Sequence, residues 1–273
     1  MSPRPKRLYI FTGKGGVGKT ALALAFTRYL KEAGHRVSYV SLSQQTLADE
    51  DVPAQSLPRE WQDISHIHLE LEDCAQGYIT KKLGSQMIAK WIVTTAYFRA
   101  LVNMLPGFGY VISMGKMLEL LNEDPSLTLV LDAPASGHAL TMMEATSNFR
   151  EIFQSGLVFE DTEKMLAKLY DRQHTGIRVF TLPTVLAVHE ALELKASLEK
   201  LASFDTTISL NHSLKNWAPT LADAPPALQQ KLALEEEMLA LHGSDIKTSF
   251  TFSAAADAAG LYADLKPQLS ELI

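Results

Sequence analysis

The chain has 273 residues, a hydrophobic fraction of 47% and a formal net charge of −6. This length suits one large α/β domain or one domain with an inserted lobe, and the apolar fraction supports a substantial core. The acidic balance, with no dense basic run beyond the first seven residues, argues against a dedicated binder of nucleic acid or of an anionic membrane.

Strands and helices alternate along the first half of the chain. Leu8–Phe11 is a short β-branched and aromatic run that predicts a strand, and glycines separate it from a predicted helix over Ala21–Leu30. The next predicted elements are a strand over Arg36–Leu42, an edge strand over 66–72, helical structure from Ala75 to about Leu121 broken at Pro106-Gly107, and a strand over Leu127–Leu131.

The second half continues the same alternation. Its predicted elements are a helical stretch from Ala139 to about Tyr170 that is weak near Gly156, strands over Ile177–Leu182, Thr206–Leu210 and 246–252, and helices over Val185–Leu201, 227–241 and from about Ala256, with a polar connection over 212–226. Strands separated by helices predict an α/β fold with a mainly parallel sheet flanked by helices. We expect a single domain over 1–273, with a helix-rich lobe from about 75–121 and 140–172.

Residues 13–20 fit the phosphate-binding pattern G-x-x-x-x-G-K-[ST] at every fixed position. Its glycines let the backbone wrap closely around a phosphate with N–H groups pointing inward. Lys19 is placed to reach the β- and γ-phosphates, and the Thr20 hydroxyl to ligate Mg²⁺. The predicted nucleotide-binding residues are Gly13, Gly15, Gly16, Val17, Gly18, Lys19, Thr20 and Ala21.

A second phosphate-side element begins at Asp132, where a buried strand ends. A carboxylate at this position next to a phosphate loop can hold Mg²⁺ through a bound water, and Gly137 supplies a peptide that can sense the γ-phosphate. The alternative for Asp132 is a strand-end carboxylate that caps the next loop. His138 is open between a backbone hydrogen bond and a switch role.

These two segments carry a family resemblance. Lys14, directly after the first glycine, resembles the signature lysine of the deviant Walker A ATPases, such as MinD, ParA, nitrogenase iron protein and the arsenite-pump ATPase. The run from Asp132 to His138 is similar to the D-[TA]-[AP]-x-[ST]-G-H segment of the arsenite-pump and tail-anchored-protein-targeting ATPases. The resemblance implies a P-loop ATPase that uses ATP and Mg²⁺ and dimerises with itself or with a paralogue.

The same resemblance assigns roles to single residues. Lys14 would reach the nucleotide of the partner subunit, and the alternative is a solvated lysine at a loop tip. Lys19 and Asp132 would complete the catalytic set, and Thr20 with Asp132 would hold Mg²⁺. A looser likeness spans about 7–270 and includes Pro106-Gly107, Pro183-Thr184 with Glu190, and Asn211, where the family places an adenine-binding asparagine. The alternative for Asn211 is an ordinary turn-starting asparagine.

Departures from the family matter for activity. Its S-T-D-P-A-H run, whose aspartate positions the attacking water, is replaced by residues 41–46, Ser-Leu-Ser-Gln-Gln-Thr. Gln44 or Gln45 could orient water instead, and we expect slow or partner-dependent hydrolysis. Cys74 alone cannot reproduce the paired-cysteine zinc site of the targeting ATPases. His66 and His68 share a strand face, but two imidazoles without further ligands are usually solvated.

The helix-rich lobe contains six methionines, at 87, 104, 114, 117, 142 and 143. Flexible thioethers suit an adaptable groove for a protein partner or hydrophobic cargo, and ordinary core packing explains them equally well. A non-hydrolysing nucleotide-sensing regulatory subunit is one alternative function. A MinD- or ParA-like positioning ATPase is another, although the tail 266–273 lacks a basic amphipathic helix and the overall acidity disfavours DNA.

The remaining expectations concern location. No run of eighteen apolar residues is present, so we expect no integral membrane span. The leader Met1–Arg7 runs straight into a predicted strand and not into a signal-peptide core, which predicts no export. A single cysteine excludes an internal disulfide and fits a reducing cytoplasm.

Overall fold

A computed structural model describes residues 5–43, 57–105, 107–152, 155–215 and 225–273. Within these residues seven strands form one parallel sheet: β1 Leu8–Gly13, β2 Arg36–Leu42, β3 His66–Leu69, β4 Leu127–Asp132, β5 Thr175–Thr181, β6 Asp205–Ser213 and β7 Ile246–Thr251. Their order across the sheet is β3-β2-β4-β1-β5-β6-β7, and every neighbouring pair is parallel. The predicted parallel α/β fold is confirmed, and β3 lies at an edge as expected.

Helices cover both faces of the sheet. They are α1 Lys19–Glu32, α2 Leu71–Leu83, α3 Gln86–Val93, α4 Ala96–Met104, α5 Phe108–Glu123, α6 Ser136–Ile152, α7 Leu157–Leu169, α8 Val185–Leu201, α9 Pro226–His242 and α10 Ala258–Leu269. No helix among the described residues is long and apolar enough to traverse a bilayer.

Alternation along β1 divides the core in two. Tyr9 and Phe11 face α1 and α10, while Leu8 and Ile10 face a cluster that includes residues of α5, α6 and α8. Successive side chains of a strand point to opposite faces, so a strand apolar at every position is buried on both sides. β1 is buried along its whole length and lies at the centre of the sheet, which places its carboxyl end in the middle of one sheet edge.

Two predicted boundaries are wrong. The strand predicted over 66–72 ends at Leu69, and α2 begins at Leu71. The helical stretch predicted from Ala75 is four helices, because Gly84 ends α2 in the left-handed region and the hydroxyls of Ser85 and Thr95 cap the helices that follow them. Gly107, with φ near +81°, precedes α5, while Pro106 lies outside the described residues. The division into one domain with a lobe stays a prediction.

The methionines of the lobe separate into two sets. Met114, Met117, Met142 and Met143 are fully buried in the core against the sheet, which confirms core packing for these four. Met87 and Met104 are exposed on α3 and α4. Periodicity alone does not distinguish the two sets, since both occur in apolar helical stretches.

Candidate functional site

The loop from Gly13 to Gly18 joins the central strand β1 to α1 and lies at the carboxyl edge of the sheet. Gly13 has φ +141°, and a Cβ there would lie 2.0 Å from the Phe180 carbonyl oxygen on β5. Gly18 has φ +87° and precedes the first turn of α1. Gly15 and Gly16 are exposed on the loop between them. The loop therefore needs glycine at both ends, and it leads into the positive end of a helix.

Lys19 begins α1 and turns back over the loop. Its Nζ donates to the Lys14 carbonyl oxygen at 3.1 Å. Burial lowers the pKa of the Lys19 ammonium, and the Asp132 carboxylate partly opposes that shift. A partly desolvated ammonium held over a loop of peptide donors is an anion-binding arrangement.

Thr20, Asp132 and Tyr39 form one hydrogen-bonded group. The Thr20 hydroxyl donates to Asp132 Oδ2 at 2.6 Å, and the Tyr39 hydroxyl donates to the same oxygen at 3.0 Å. Burial raises the pKa of Asp132, while the two hydroxyls and Lys19 act to lower it. Burial and the nearby carboxylate also raise the pKa of Tyr39, so its hydroxyl stays a donor. The structure brings Thr20 and Asp132 together, and their role in holding Mg²⁺ stays a prediction.

The sequence did not identify Tyr39 as a site residue. It pairs in register with Val130, two residues before Asp132, so the two side chains occupy the same face of neighbouring strands. That relation needs β2 to lie beside β4, although β3 and the helices α2 to α5 separate these two strands along the chain. Alternation along β2 was the one available signal, because it puts Tyr39 on the face of α1.

Lys14 is exposed at the tip of the loop. Its Nζ forms an ion pair with Glu190 Oε1 of α8 at 2.7 Å within the same chain. Both side chains are more than a third exposed, so the pair contributes little to stability. Glu190 of the Pro-Thr…Glu element therefore contacts Lys14. Thr184 of the same element caps α8, because its hydroxyl accepts from the Ala187 N–H.

Asn211 and Ala21 are the remaining predicted nucleotide residues. Asn211 is buried near the end of β6, and its Nδ2 donates to the Val17 carbonyl oxygen at 2.9 Å. A Cβ on Gly18 would lie 2.4 Å from the same Nδ2. Asn211 therefore supports the loop directly through its Nδ2. A contact between the Asn211 side chain and adenine stays a prediction. Ala21 is half-buried in the first turn of α1.

Of residues 41–46, which replace the water-positioning run of the family, the structure describes only 41–43. Gln44 and Gln45, predicted to orient water, lie outside the described residues. Ser43 Oγ accepts from the Leu71 N–H at 3.3 Å and so contacts the start of α2. Gly137 and His138 are exposed in the first turn of α6.

The histidine pair of β3 is an edge hydrogen-bond group. Ser41 Oγ lies 2.8 Å from both His66 Nε2 and His68 Nδ1. The described residues hold no group of three or more His, Cys, Asp or Glu side chains arranged for a metal ion. Cys74 is buried, which raises the pKa of its thiol to about 11 and disfavours the thiolate that zinc binds.

Comparisons with known proteins place the chain among ATPases. A family model described as anion-transporting ATPase matches residues 6–157, more than half of the chain and including both phosphate-side segments. The ATPase BagA of Mycobacterium tuberculosis is 25% identical over 221 residues, which cover 74% of this chain and 63% of BagA.

Two further relatives are similar over most of the chain. The arsenical pump-driving ATPase of Escherichia coli is 25% identical over 260 residues (88% of this chain, 40% of the pump ATPase). The ATPase GET3B of Arabidopsis thaliana is 23% identical over 257 residues (73% of this chain, 62% of GET3B). The chain therefore spans less than two thirds of the length of each of these three relatives.

Proposed function

Because the chain belongs to the anion-transporting ATPase family, we propose that it binds ATP with Mg²⁺ and hydrolyses it as a dimeric switch. The observation that supports this most directly is the meeting of Lys19, Thr20 and Asp132 beside the glycine loop. The cradle supplies donors for phosphate oxygens, and the two oxygen-bearing side chains supply an adjacent site for a hard cation.

The residues present fit Mg²⁺. The Thr20 hydroxyl and the Asp132 carboxylate are hard oxygen donors within 2.6 Å of each other, and Mg²⁺ prefers such oxygens. Thr20 would hold the ion directly and Asp132 would hold it through water. When bound, the ion neutralises charge on the phosphates. Tyr39 orients the Asp132 oxygen toward this position, so we assign it a positioning role.

The protein groups act mainly by position and charge. Amides of the loop and the positive end of α1 bind the phosphates, and Lys19 stabilises negative charge on the transferring group. Its partly buried ammonium strengthens that interaction, because the local dielectric is lower than in water. Asn211 supports the loop because its Nδ2 donates to the Val17 carbonyl oxygen.

Hydrolysis is proposed to be slow or dependent on a partner. Ser43 falls at the position of the aspartate in the S-T-D-P-A-H run that residues 41–46 replace, and its hydroxyl contacts the start of α2. The same observation favours a second candidate function, a nucleotide-sensing regulatory subunit that binds without hydrolysis. Calorimetric ATP binding together with turnover measured in Mg²⁺ and in chelator separates the two functions. Binding without turnover supports the sensor, and no binding at all contradicts both.

Replacing Asp132 with asparagine should separate metal binding from folding. We expect Mg²⁺-dependent ATP affinity to fall about tenfold or more, because a neutral amide binds a hard cation more weakly than a carboxylate. The raised pKa of Asp132 means that folding favours its protonated form. That stabilisation is complete below the ordinary aspartate pKa and is lost as the pH rises through the raised value.

The variant without nucleotide should therefore be as stable as the parent chain or more stable at neutral pH, with the difference shrinking toward acidic pH. Thermal unfolding across pH and Mg²⁺ titrations with an ATP analogue measure the two effects. Tyr39→Phe is the graded control, since it keeps the carboxylate and removes one donor. A lower melting temperature for Asp132→Asn at neutral pH, with unchanged metal affinity, would contradict the assignment.

The proposed dimer places Lys14 at the nucleotide of the partner subunit. Its ion pair with Glu190 is exposed and weak enough to exchange for a phosphate. Mixing Lys14→Ala with Lys19→Ala chains should restore activity that neither variant has alone. In each mixed dimer, one of the two sites has its own Lys19 and receives Lys14 from the other subunit. Random mixing makes about half of the dimers mixed, so about a quarter of all sites should be complete.

Turnover of the separate and mixed variants, with light scattering in ADP and in an ATP analogue, tests this arrangement. A Glu190→Gln chain serves as control, because it frees Lys14 without removing it. No restoration on mixing would assign Lys14 to its own subunit, and a monomer in both nucleotide states would remove the dimer. Whether the partner copy is identical or a paralogue is decided by which chains co-purify.

The cellular location of the protein and the effect of nucleotide state on its partner are also proposed. We place the protein in the cytoplasm, where ATP and a reduced Cys74 are expected. Nucleotide state would change the angle between subunits, and the helix-rich lobe would pass that change to a protein partner or hydrophobic cargo.

A further inference from the structure

The pairing of β6 with β7 is irregular beside the candidate phosphate loop. Near the carboxyl end of β6, two residues, Asn211 and His212, lie opposite the single residue Phe250 of β7. An extra residue on one strand is a β-bulge, which is rare in parallel pairs and can re-aim a side chain at a site. This bulge lies at the sheet edge where the ends of parallel strands open ligand sites, and Asn211 contacts the loop there.

His212 has an unusual backbone conformation. Its φ is +60°, and it is the only non-glycine residue with a positive φ in the part of the chain that the structure describes. The left-handed region is unfavourable for a residue with a Cβ, although histidine tolerates it better than most residues do. Outliers of this kind persist where the surrounding structure holds them, and they concentrate at functional sites.

Glu235 of α9 holds the chain directly after His212. The Ser213 hydroxyl donates to Glu235 Oε1, and the Leu214 N–H donates to Glu235 Oε2 at 2.8 Å. Glu235 is only 1% exposed. A buried carboxylate is costly unless hydrogen bonds satisfy it, so these two bonds fix the backbone that follows His212.

The bulge directs two consecutive side chains toward the same glycine. A Cβ on Gly18 would lie 2.4 Å from Asn211 Nδ2 and 3.7 Å from His212 Nε2. Consecutive side chains of a regular strand point to opposite faces of the sheet, so a regular β6 would direct only one of the two toward Gly18. The His212 ring also lies 5.7 Å from the Phe252 ring, at an angle of 49°. An imidazole and an aromatic ring therefore lie beside the last glycine of the loop.

The imidazole suits a nucleoside better than a phosphate. Partial burial, with the Lys231 ammonium as a smaller cause, lowers the pKa of His212, so the ring is largely neutral at neutral pH. A neutral ring lacks the charge that attracts phosphates, and the loop amides and Lys19 already supply donors for them. The flat ring remains exposed. It can stack on a base, and its nitrogens can bond a base edge or a ribose hydroxyl.

We propose that His212 contacts the nucleoside end of the bound nucleotide, and that Glu235 is a positioning residue that holds His212 there. This inference rests on the proposed ATP binding and adds to it, because the phosphate-loop pattern assigns no role to either residue. In this arrangement the unfavourable backbone of His212 is retained because it directs the ring toward the ligand.

Replacing His212 with glycine separates ligand binding from folding. Glycine adopts φ +60° without steric cost, so the variant without nucleotide should melt close to the parent temperature. ATP affinity, measured by calorimetry with Mg²⁺, should fall about tenfold, because a base or ribose contact is removed. Affinity for inorganic tripolyphosphate with Mg²⁺, measured by thermal shift, should stay unchanged, since that ligand has no nucleoside.

Two further variants control this comparison. Lys19→Ala should weaken the binding of both ATP and tripolyphosphate, because Lys19 lies over the loop. His212→Asn removes the ring with a residue that also tolerates a left-handed backbone, and it too should bind ATP more weakly.

The possible results are distinguishable. Unchanged ATP affinity in both His212 variants would leave His212 a purely structural role and overturn the inference. Equal losses of affinity for ATP and tripolyphosphate would assign His212 to the phosphates and overturn it as well. A parent chain that binds no ATP would contradict the proposed function itself, and the inference with it.

The positioning role of Glu235 has its own test. Glu235→Gln keeps an acceptor for the Leu214 N–H and a polar partner for Ser213, so its ATP affinity should stay near the parent value. Glu235→Ala should lower ATP affinity, with little further loss when it is combined with His212→Gly. Additive losses, or no loss at all, would contradict the positioning role. If Glu235→Ala does not fold, Ser213→Ala gives the same comparison with one bond removed.

Discussion

Replacement of Lys19 by alanine is expected to abolish most ATP turnover, with kcat/KM lower by about 10²–10³-fold. The ammonium lies over the loop within 3.1 Å of the Lys14 carbonyl oxygen, so it is held where a phosphate would meet the loop amides. Its loss removes a partly desolvated positive charge that water replaces poorly. ATP affinity measured by calorimetry should fall at least about tenfold, since charge-assisted hydrogen bonds are lost.

Stability distinguishes a functional Lys19 from a structural one. The ammonium is half-buried and bonds a carbonyl of an exposed residue, so without nucleotide the variant should unfold close to the parent temperature. Lys200→Ala, at an exposed position of α8, is the matched control and should leave both turnover and stability unchanged. Equal ATP affinity in Lys19→Ala and the parent chain would refute the phosphate-loop assignment.

Replacement of Gly13 by alanine should destabilise the fold by about 3 kcal/mol or more, which combines overpacking with backbone strain. The added Cβ would lie 2.0 Å from the Phe180 carbonyl oxygen, and φ +141° is unfavourable for any side chain. Gly13 pairs with Phe180 across the β1–β5 ladder, so neither backbone can shift without breaking central sheet hydrogen bonds. For a chain of this size the melting temperature should fall by roughly 10 °C.

Gly15→Ala is the matched control on the same loop. A Cβ there meets no atom within 4 Å, and its backbone has no left-handed φ. The free energy of unfolding of Gly15→Ala, measured with denaturant, should lie within about 0.5 kcal/mol of that of the parent chain. The value for Gly13→Ala should be lower by most of the loss expected for that variant. Similar stability of both variants would mean that Gly13 has a different backbone conformation in solution.

Local rules predicted much of this molecule. The succession of strands and helices and the helix after Gly18 follow from apolar runs bounded by glycine, proline or polar residues, because these patterns are set by neighbouring residues. The helix boundaries that were predicted wrongly are those set by helix caps. The Ser85 and Thr95 hydroxyls each cap the start of a new helix within one apolar stretch. Periodicity does not register such interruptions when both sides remain apolar.

The site was predictable wherever it lies in continuous sequence. Gly13 to Thr20 is one segment, so the pattern and its flanks contain the whole candidate phosphate loop. Asp132 follows from a carboxylate at the end of a buried strand, while its bond to Thr20 joins residues 112 positions apart. Roles such as the cross-subunit position of Lys14 and the adenine contact of Asn211 remain predictions.

Sequence by itself determined the family and the α/β class, since the first depends on residue types at fixed spacing and the second on apolar runs that alternate along the chain. Tertiary structure alone decided that Tyr39 bonds Asp132, that Glu190 pairs with Lys14 and that Asn211 supports Val17. It also decided which lobe methionines are buried and which protrude with Trp91 and Tyr97. These relations depend on which strands and helices become neighbours, and long-range packing sets that order.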